Sequence, residues 1–144
     1  MSQQYYTLEQ LNQYTRNTMV ELLDITFVEI GEDYLVAKMP VTEKLYQPHK
    51  IMHGGASLVL AETVGGALSV AVVDPAIYAI RGITINANHV KAVRGGNVYG
   101  TATFIHKGNS THVVEIKVTN DDGDLVSVTR LTNFIGEHKQ LNGK

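Results

Sequence analysis

The chain has no cysteine, no tryptophan, only three prolines and no strong excess of either charge. Without cysteine there is no disulfide framework, no thiolate nucleophile and no thiolate metal ligand. The same absence leaves the redox compartment open. Twelve Lys and Arg against fourteen Asp and Glu give a net charge of −2. That excludes a nucleic-acid partner held by bulk positive charge, but leaves room for a few cations around one phosphorylated ligand. Met1–Tyr6 is polar and lacks the basic and then apolar regions of a secretory signal, so the cytoplasm is the expected location. There is no repeat, low-complexity tract or linker. The 144 residues, 44% hydrophobic and 18% charged, read as one globular domain over 1–144.

One long apolar run stands out, residues 56–73 (ASLVLAETVGGALSVAVV). It is near the lower length limit for a membrane span and contains Glu62, so a soluble helix buried on nearly all sides is the better reading. Around it the periodicity is short. A helical segment over about 7–23 starts with a capping box at Thr7 and Gln10, and Thr18–Glu21 repeats the signal. A hairpin follows: Ile25–Ile30, a turn at 31–33, and Tyr34–Thr42 with Leu35, Ala37, Met39 and Val41 on one face. Pro48 makes 46–53 a loop. After Pro75 the chain alternates with period two through Ile83, Ile85 and Ala87, then through strands over 98–106, 111–119 and 125–135. The turn over 120–124 lacks the ligand spacing of a calcium loop. The tail from Gly136 to Lys144 is expected to fray. A helix so uniformly apolar needs a sheet curled around it. The expected fold class is α+β, a long antiparallel sheet wrapped around one central apolar helix.

Glu62 lies in the middle of that helix, and no Lys or Arg occurs from Ala56 through Ile80. An unpaired buried carboxylate is costly, so Glu62 either faces a wet cleft or is satisfied by another segment. Gly65 and Gly66 follow one turn on. Each costs roughly 1 kcal/mol against alanine in a helix, which suggests that they clear space beside the carboxylate. The bland reading is close helix packing with Glu62 at an edge. At the helix start, Gly54 and Gly55 follow His53, where the unpaired N–H groups of a first turn bind oxyanions. Gly54 and Glu62 are eight residues apart, roughly 12 Å along one helix. They cannot flank one carbonyl within a chain, so a shared site implies a second subunit across a two-fold axis.

The segment Gln47-Pro48-His49-Lys50-Ile51-Met52-His53-Gly54-Gly55, followed by Leu60-Ala61-Glu62-Thr63, resembles the hotdog-fold acyl-CoA thioesterases. Within them it is most similar to the PaaI-like branch that includes aryl-CoA thioesterases for 4-hydroxybenzoyl and 1,4-dihydroxy-2-naphthoyl thioesters. The resemblance covers about Ile25 to Ile135. It implies that the N–H of Gly54, together with that of Gly55, polarises the thioester carbonyl. It implies that Gln47 donates a hydrogen bond near that carbonyl and that His53 orients the loop and approaches the leaving sulfur. Glu62 of the partner subunit is then the nucleophile or the general base. The implied assembly is a homo-oligomer, a dimer at minimum and a tetramer in the usual arrangement. The substrate is an acyl-CoA, coenzyme A being part of the substrate and not a cofactor. Relatives often carry Ser or Thr at the position of Gly66.

Lys91, Arg94 and the turn Lys107-Gly108-Asn109-Ser110-Thr111 are candidates for the CoA phosphates. His89 reads as a satisfied histidine near a strand end, with a place beside the thioester as the other possibility. His49 and His53 have zinc-like spacing but no third ligand, so no metal and no membrane partner are expected. Readings kept beside the thioesterase are a hotdog-fold hydratase or dehydratase, a non-catalytic acyl-CoA binding protein, and a thioesterase for acyl-carrier-protein thioesters. The first would want a His paired with the carboxylate; the second would want an output segment for which there is no spare length.

Overall fold

The computed structural model describes residues 3–141. Two short helices, α1 (Leu8–Tyr14) and α2 (Met19–Leu22), precede strands β1 (Thr26–Ile30) and β2 (Tyr34–Pro40). A turn of 3-10 helix and a loop lead to the long helix α3 (Gly54–Ala71). Then come β3 (Tyr78–His89), β4 (Asn97–Lys107), β5 (Thr111–Asn120), β6 (Leu125–Glu137) and a last turn of helix, α4 (His138–Leu141). The capping box at Thr7 forms with both of its hydrogen bonds. Asn12 then ties α1 to β1, its amide donating to Phe27 O (2.9 Å) and its Oδ1 accepting from Phe27 N (2.8 Å).

All six strands form one antiparallel sheet in the order β1-β2-β4-β5-β6-β3. α3 lies across its inner face. The alternation read in the hairpin is the one the fold uses: Leu35, Ala37 and Met39 point inward and are fully buried. Val98, Ala102, Val114, Ile116, Val118 and Leu131 extend that surface against Leu60, Val64 and Leu68 of α3. At Gly100 a Cβ would stand 3.2 Å from Val64 and 3.3 Å from Leu60. Glycine there lets the helix sit close to the sheet.

Four expectations need correction. α3 begins at Gly54 with His53 as its N-cap and ends at Ala71, so it starts and stops two residues earlier than the apolar run 56–73. α3 is also not buried on nearly all sides: its sheet-facing half is closed, whereas Glu62 is exposed and Thr63, Gly66 and Val70 are half-exposed. β3 starts at Tyr78, earlier than its alternation suggests, because a bulge at Ile83 interrupts the register between Gly82 and Thr84. Gly136 and Glu137, read as the start of a frayed tail, pair with Ala79 and Tyr78, and 138–141 are helical. The part of that tail beyond residue 141 lies outside the described residues.

Candidate active site

The loop before α3 is pinned at several points. Met52 N–H donates to Val93 O (2.8 Å) and His53 N–H to Leu45 O (2.7 Å). The side chain of Gln47 accepts from His49 N–H. That fixes the Gln47 oxygen on the loop and leaves its amide N–H groups to donate elsewhere. His53 caps the helix: its Nδ1 accepts from Gly55 N–H at 2.8 Å. The N–H of Gly55 is therefore occupied, and that of Gly54 is the donor at the helix start with no partner among the described residues. The two glycines, taken together as carbonyl donors in the sequence reading, are thus not equivalent.

The ring of His89, at the end of β3, rests on Gly54. A Cβ at Gly54 would lie 2.8 Å from His89 Nε2, so only glycine admits this approach. A cavity of about 350 Å³ opens here, lined by Gln47, Met52, Gly54, His89, Lys91 and Val126. Its size suits a small-molecule site. It brings His89, the last residue of β3, together with Gln47 and Gly54.

Glu62 is eight residues along α3, roughly 12 Å from Gly54, exposed on the flank of the helix that meets edge strand β3. It has no hydrogen bond or ion pair among the described residues. Its Oε1 lies 3.0 Å from where a Cβ of Gly82 would be. The two glycines after it divide. Nothing stands within 4 Å of a Cβ at Gly66, whereas a Cβ at Gly65 would meet Leu131 at 2.8 Å and Ile116 at 3.0 Å. Only Gly66 clears space on the side of Glu62; Gly65 serves the packing of α3 on the sheet. Thr63 lines an apolar cavity of about 210 Å³ between α1 and α3, with Leu11, Tyr14, Phe27, Ala67 and Val70.

The candidates for the CoA phosphates separate into two groups. Lys91 and Arg94 lie near the helix start. Lys91 Nζ is paired with Asp124 (2.6 Å), and the carbonyl of Arg94 accepts from the Tyr46 hydroxyl. Lys107, Asn109, Ser110 and Thr111 lie at the other end of the helix. There Lys107 and Asn109 line a second cavity of about 380 Å³ with Tyr5, Asp74 and His112. Lys107 Nζ stands 3.5 Å from Asp33 and 5.2 Å from the centre of the Phe104 ring. Eighteen residues of helix, roughly 27 Å, separate the two ends, so one chain does not bring both groups to one ligand.

Sequence reasoning did not find a buried polar cluster under α3. His112 Nδ1 and Ser69 Oγ are 3.0 Å apart, and Asn133 Nδ2 donates to Ser69 Oγ (2.9 Å) and to Gly65 O (3.3 Å). All three side chains are buried. Burial pushes the His112 pKa down to about 4, with Lys107 and His106 adding to the effect. The signal in the sequence is a His and an Asn at inward strand positions; nothing in it reveals that they meet.

A six-stranded antiparallel sheet wrapped around one long helix is the hotdog fold. The thioesterase superfamily profile matches residues 49–127, and the chain belongs to that family. It is 40% identical over 129 residues to the 1,4-dihydroxy-2-naphthoyl-CoA hydrolase of Escherichia coli, covering 90% of this chain and 94% of that protein. The crystal structure of a Pseudomonas aeruginosa thioesterase superposes with a TM-score of 0.91 at 39% identity, covering 94% of this chain and 98% of that one. A Staphylococcus aureus protein, 37% identical with a TM-score of 0.81 over 83% of this chain and 98% of that one, was solved with a glutamate replaced by alanine. It was also solved, as a thioesterase, with a glutamine fifteen residues earlier replaced by alanine. Gln47 and Glu62 have that same spacing.

Proposed function

We propose that this thioester hydrolase acts on acyl-CoA, with an aryl group as the acyl part, and that its active site is built by two subunits. The observation that carries the reading is the pairing of an unpartnered Gly54 N–H at a helix start with an exposed Glu62 beyond reach on the same helix. Gly54 N–H and the Gln47 amide donate to the thioester oxygen, where negative charge develops as the carbonyl carbon is attacked. Glu62 of the partner subunit either attacks that carbon itself or takes a proton from the attacking water. His53 holds the first turn, and His89 stands beside Gly54 where the leaving sulfur would lie. The products are the free acid and CoA; no cofactor takes part.

The second subunit is supported by the edge of the sheet. β3 has twelve residues and pairs on one side only, with β6. The exposed Ile77, Tyr78, Ile83 and Val90 lie on it or beside it. A long apolar edge is a template for another chain. A two-fold axis would also bring the far-end turn of one subunit, Lys107 to Thr111, towards the helix start of the other, so that both phosphate groups of candidates serve one CoA.

An aryl substrate is supported by the apolar cavity beside Thr63. At about 210 Å³ it exceeds the roughly 150 Å³ that holds a benzene ring in an apolar cavity. The Escherichia coli relative, which carries a naphthoyl-CoA in its name, points the same way. CoA thioesters are intracellular metabolites, which fits the cytoplasm. Thiol release from a panel of aryl-CoA and straight-chain acyl-CoA substrates tests the reading, with Glu62→Ala beside the wild type. The expected outcome is turnover favouring aryl-CoA and a loss of at least a hundredfold in the variant. A wild type that binds acyl-CoA and releases no thiol would overturn it.

A further inference from the structure

Two cavities flank the open face of α3, and one side chain stands between them. Glu62, Gly66 and Val70 follow one another at intervals of four, so they form one row along that face. Nothing lies within 4 Å of a Cβ at Gly66, so the row is clear from the carboxylate to Val70, roughly 12 Å of helix. Thr63 and Ala67, on one side of the row, line the apolar cavity of about 210 Å³. On the other side is a cavity of about 290 Å³ between the end of α3 and the start of β3, with Tyr6, Val73, Tyr78 and Ile80 in its wall. Val70 and Tyr14 line both cavities.

Tyr14 is the last residue of α1. The fold itself makes little use of its ring. It is 75% exposed, whereas Leu11, one turn earlier, is buried and holds α1 on the core. Its hydroxyl makes no hydrogen bond among the described residues. The Tyr6 ring lies 6.3 Å away and tilted by 58°. What the Tyr14 ring does is divide space: it stands opposite Val70, where the two cavities would otherwise meet.

We propose that Tyr14 sets the length of the acyl group, by closing the cavity beside Thr63 off from the cavity beside Tyr6 and Tyr78. The inference rests on the reading above, in which the acyl group lies beside Thr63 of the subunit that supplies Glu62. An aryl group ends inside the first cavity. A straight chain of twelve carbons laid along the same row runs on past Gly66 and meets the Tyr14 ring over Val70. Without that ring the two cavities join, and Val73 and Ile80 offer the far end of the chain an apolar wall. Each additional methylene taken out of water is worth roughly fourfold in affinity, so two of them account for a tenfold change.

The test measures thiol release from benzoyl-CoA, octanoyl-CoA and dodecanoyl-CoA by wild type, Tyr14→Ala and Tyr14→Phe, with thermal unfolding of each. The wild type should prefer benzoyl-CoA to dodecanoyl-CoA. Tyr14→Ala should raise the ratio of dodecanoyl-CoA to benzoyl-CoA in kcat/KM at least tenfold, chiefly through a lower KM for the long chain. Tyr14→Phe keeps the ring and should leave the ratio within twofold of wild type. The exposure of Tyr14 means that melting temperatures should stay close together; if Tyr14→Ala fails to fold, Tyr14→Val decides by the same ratio. A rise of less than tenfold, an equal rise in Tyr14→Phe, or a wild type that already hydrolyses dodecanoyl-CoA as well as benzoyl-CoA overturns the proposal. Failure of the thioesterase reading looks different: the wild type would release thiol from none of the three, and the inference would fall with it.

Discussion

Gly65 and Gly66 are neighbours on one helix, yet alanine should act on them with opposite sign. Each substitution gains the same helix propensity, roughly 1 kcal/mol. At Gly66 nothing lies within 4 Å of the new methyl group, so the gain stands alone and the protein is stabilised by about 1 kcal/mol. At Gly65 the methyl would lie 2.8 Å from Leu131 and 3.0 Å from Ile116. Both neighbours are buried to 1% exposure or less and have little room to move. Overpacking a closed core costs about 1–3 kcal/mol. Because the propensity gain is common to both, the difference between the two variants isolates the packing cost. Chemical denaturation should place Gly65→Ala about 1–3 kcal/mol below Gly66→Ala. At roughly 2–4 °C per kcal/mol for a domain of this size, their melting temperatures should differ by several degrees. Equal stabilities would refute the reasoning, since they would mean that both faces of α3 are equally open or equally closed.

Two further perturbations follow from the same packing. The folded-state pKa of His112 is lowered to about 4 from an ordinary 6.5, so the unfolded chain binds the extra proton first and stability falls as pH drops from about 6.5 to about 4, by an amount on the order of 3 kcal/mol; a His112→Gln variant should lose most of that dependence in urea titrations at pH 7 and pH 4.5. Asn12→Ala removes both side-chain bonds from α1 to β1 and should cost about 1–3 kcal/mol, read as a lower urea midpoint with an unchanged slope.

Much of the fold was legible because it rests on local signals. The capping box at Thr7, the alternation in 34–41 and the apolar run of α3 each follow from residues close in sequence. β3 was harder. Its first half is an edge with one exposed face, and the bulge at Ile83 shifts the alternation that would reveal it. The site divides in the same way. Gly54 and Glu62 stood out because each breaks a local rule, a side-chain-free helix start and a charge in an apolar helix. The unequal roles of Gly54 and Gly55, or of Gly65 and Gly66, depend on what lies opposite: His53 in one case and the sheet in the other. The cluster of His112, Ser69 and Asn133 joins residues 43 and 64 positions apart, and only the register of β5 and β6 under α3 brings them together. The candidates for the CoA phosphates were all exposed cations or turns, and only the length of α3 separates them into two ends.

The central claim, one site from two subunits, is tested most directly by complementation. Gly54→Pro removes the unpaired N–H and, with a Cβ where the His89 ring rests, moves that ring too; it disables the helix-start half of the site while keeping a residue suited to the first turn of a helix. Glu62→Ala removes the carboxylate. Each variant alone should be nearly inactive. Mixed after reversible unfolding, half of the dimers pair one of each, and each such dimer holds one intact site. Thiol release should then return to about a quarter of the wild-type rate. Activity of the mixture no higher than the mean of the two separate variants, with mixed dimers shown to form, would contradict the account and place Gly54 and Glu62 in a single-subunit site.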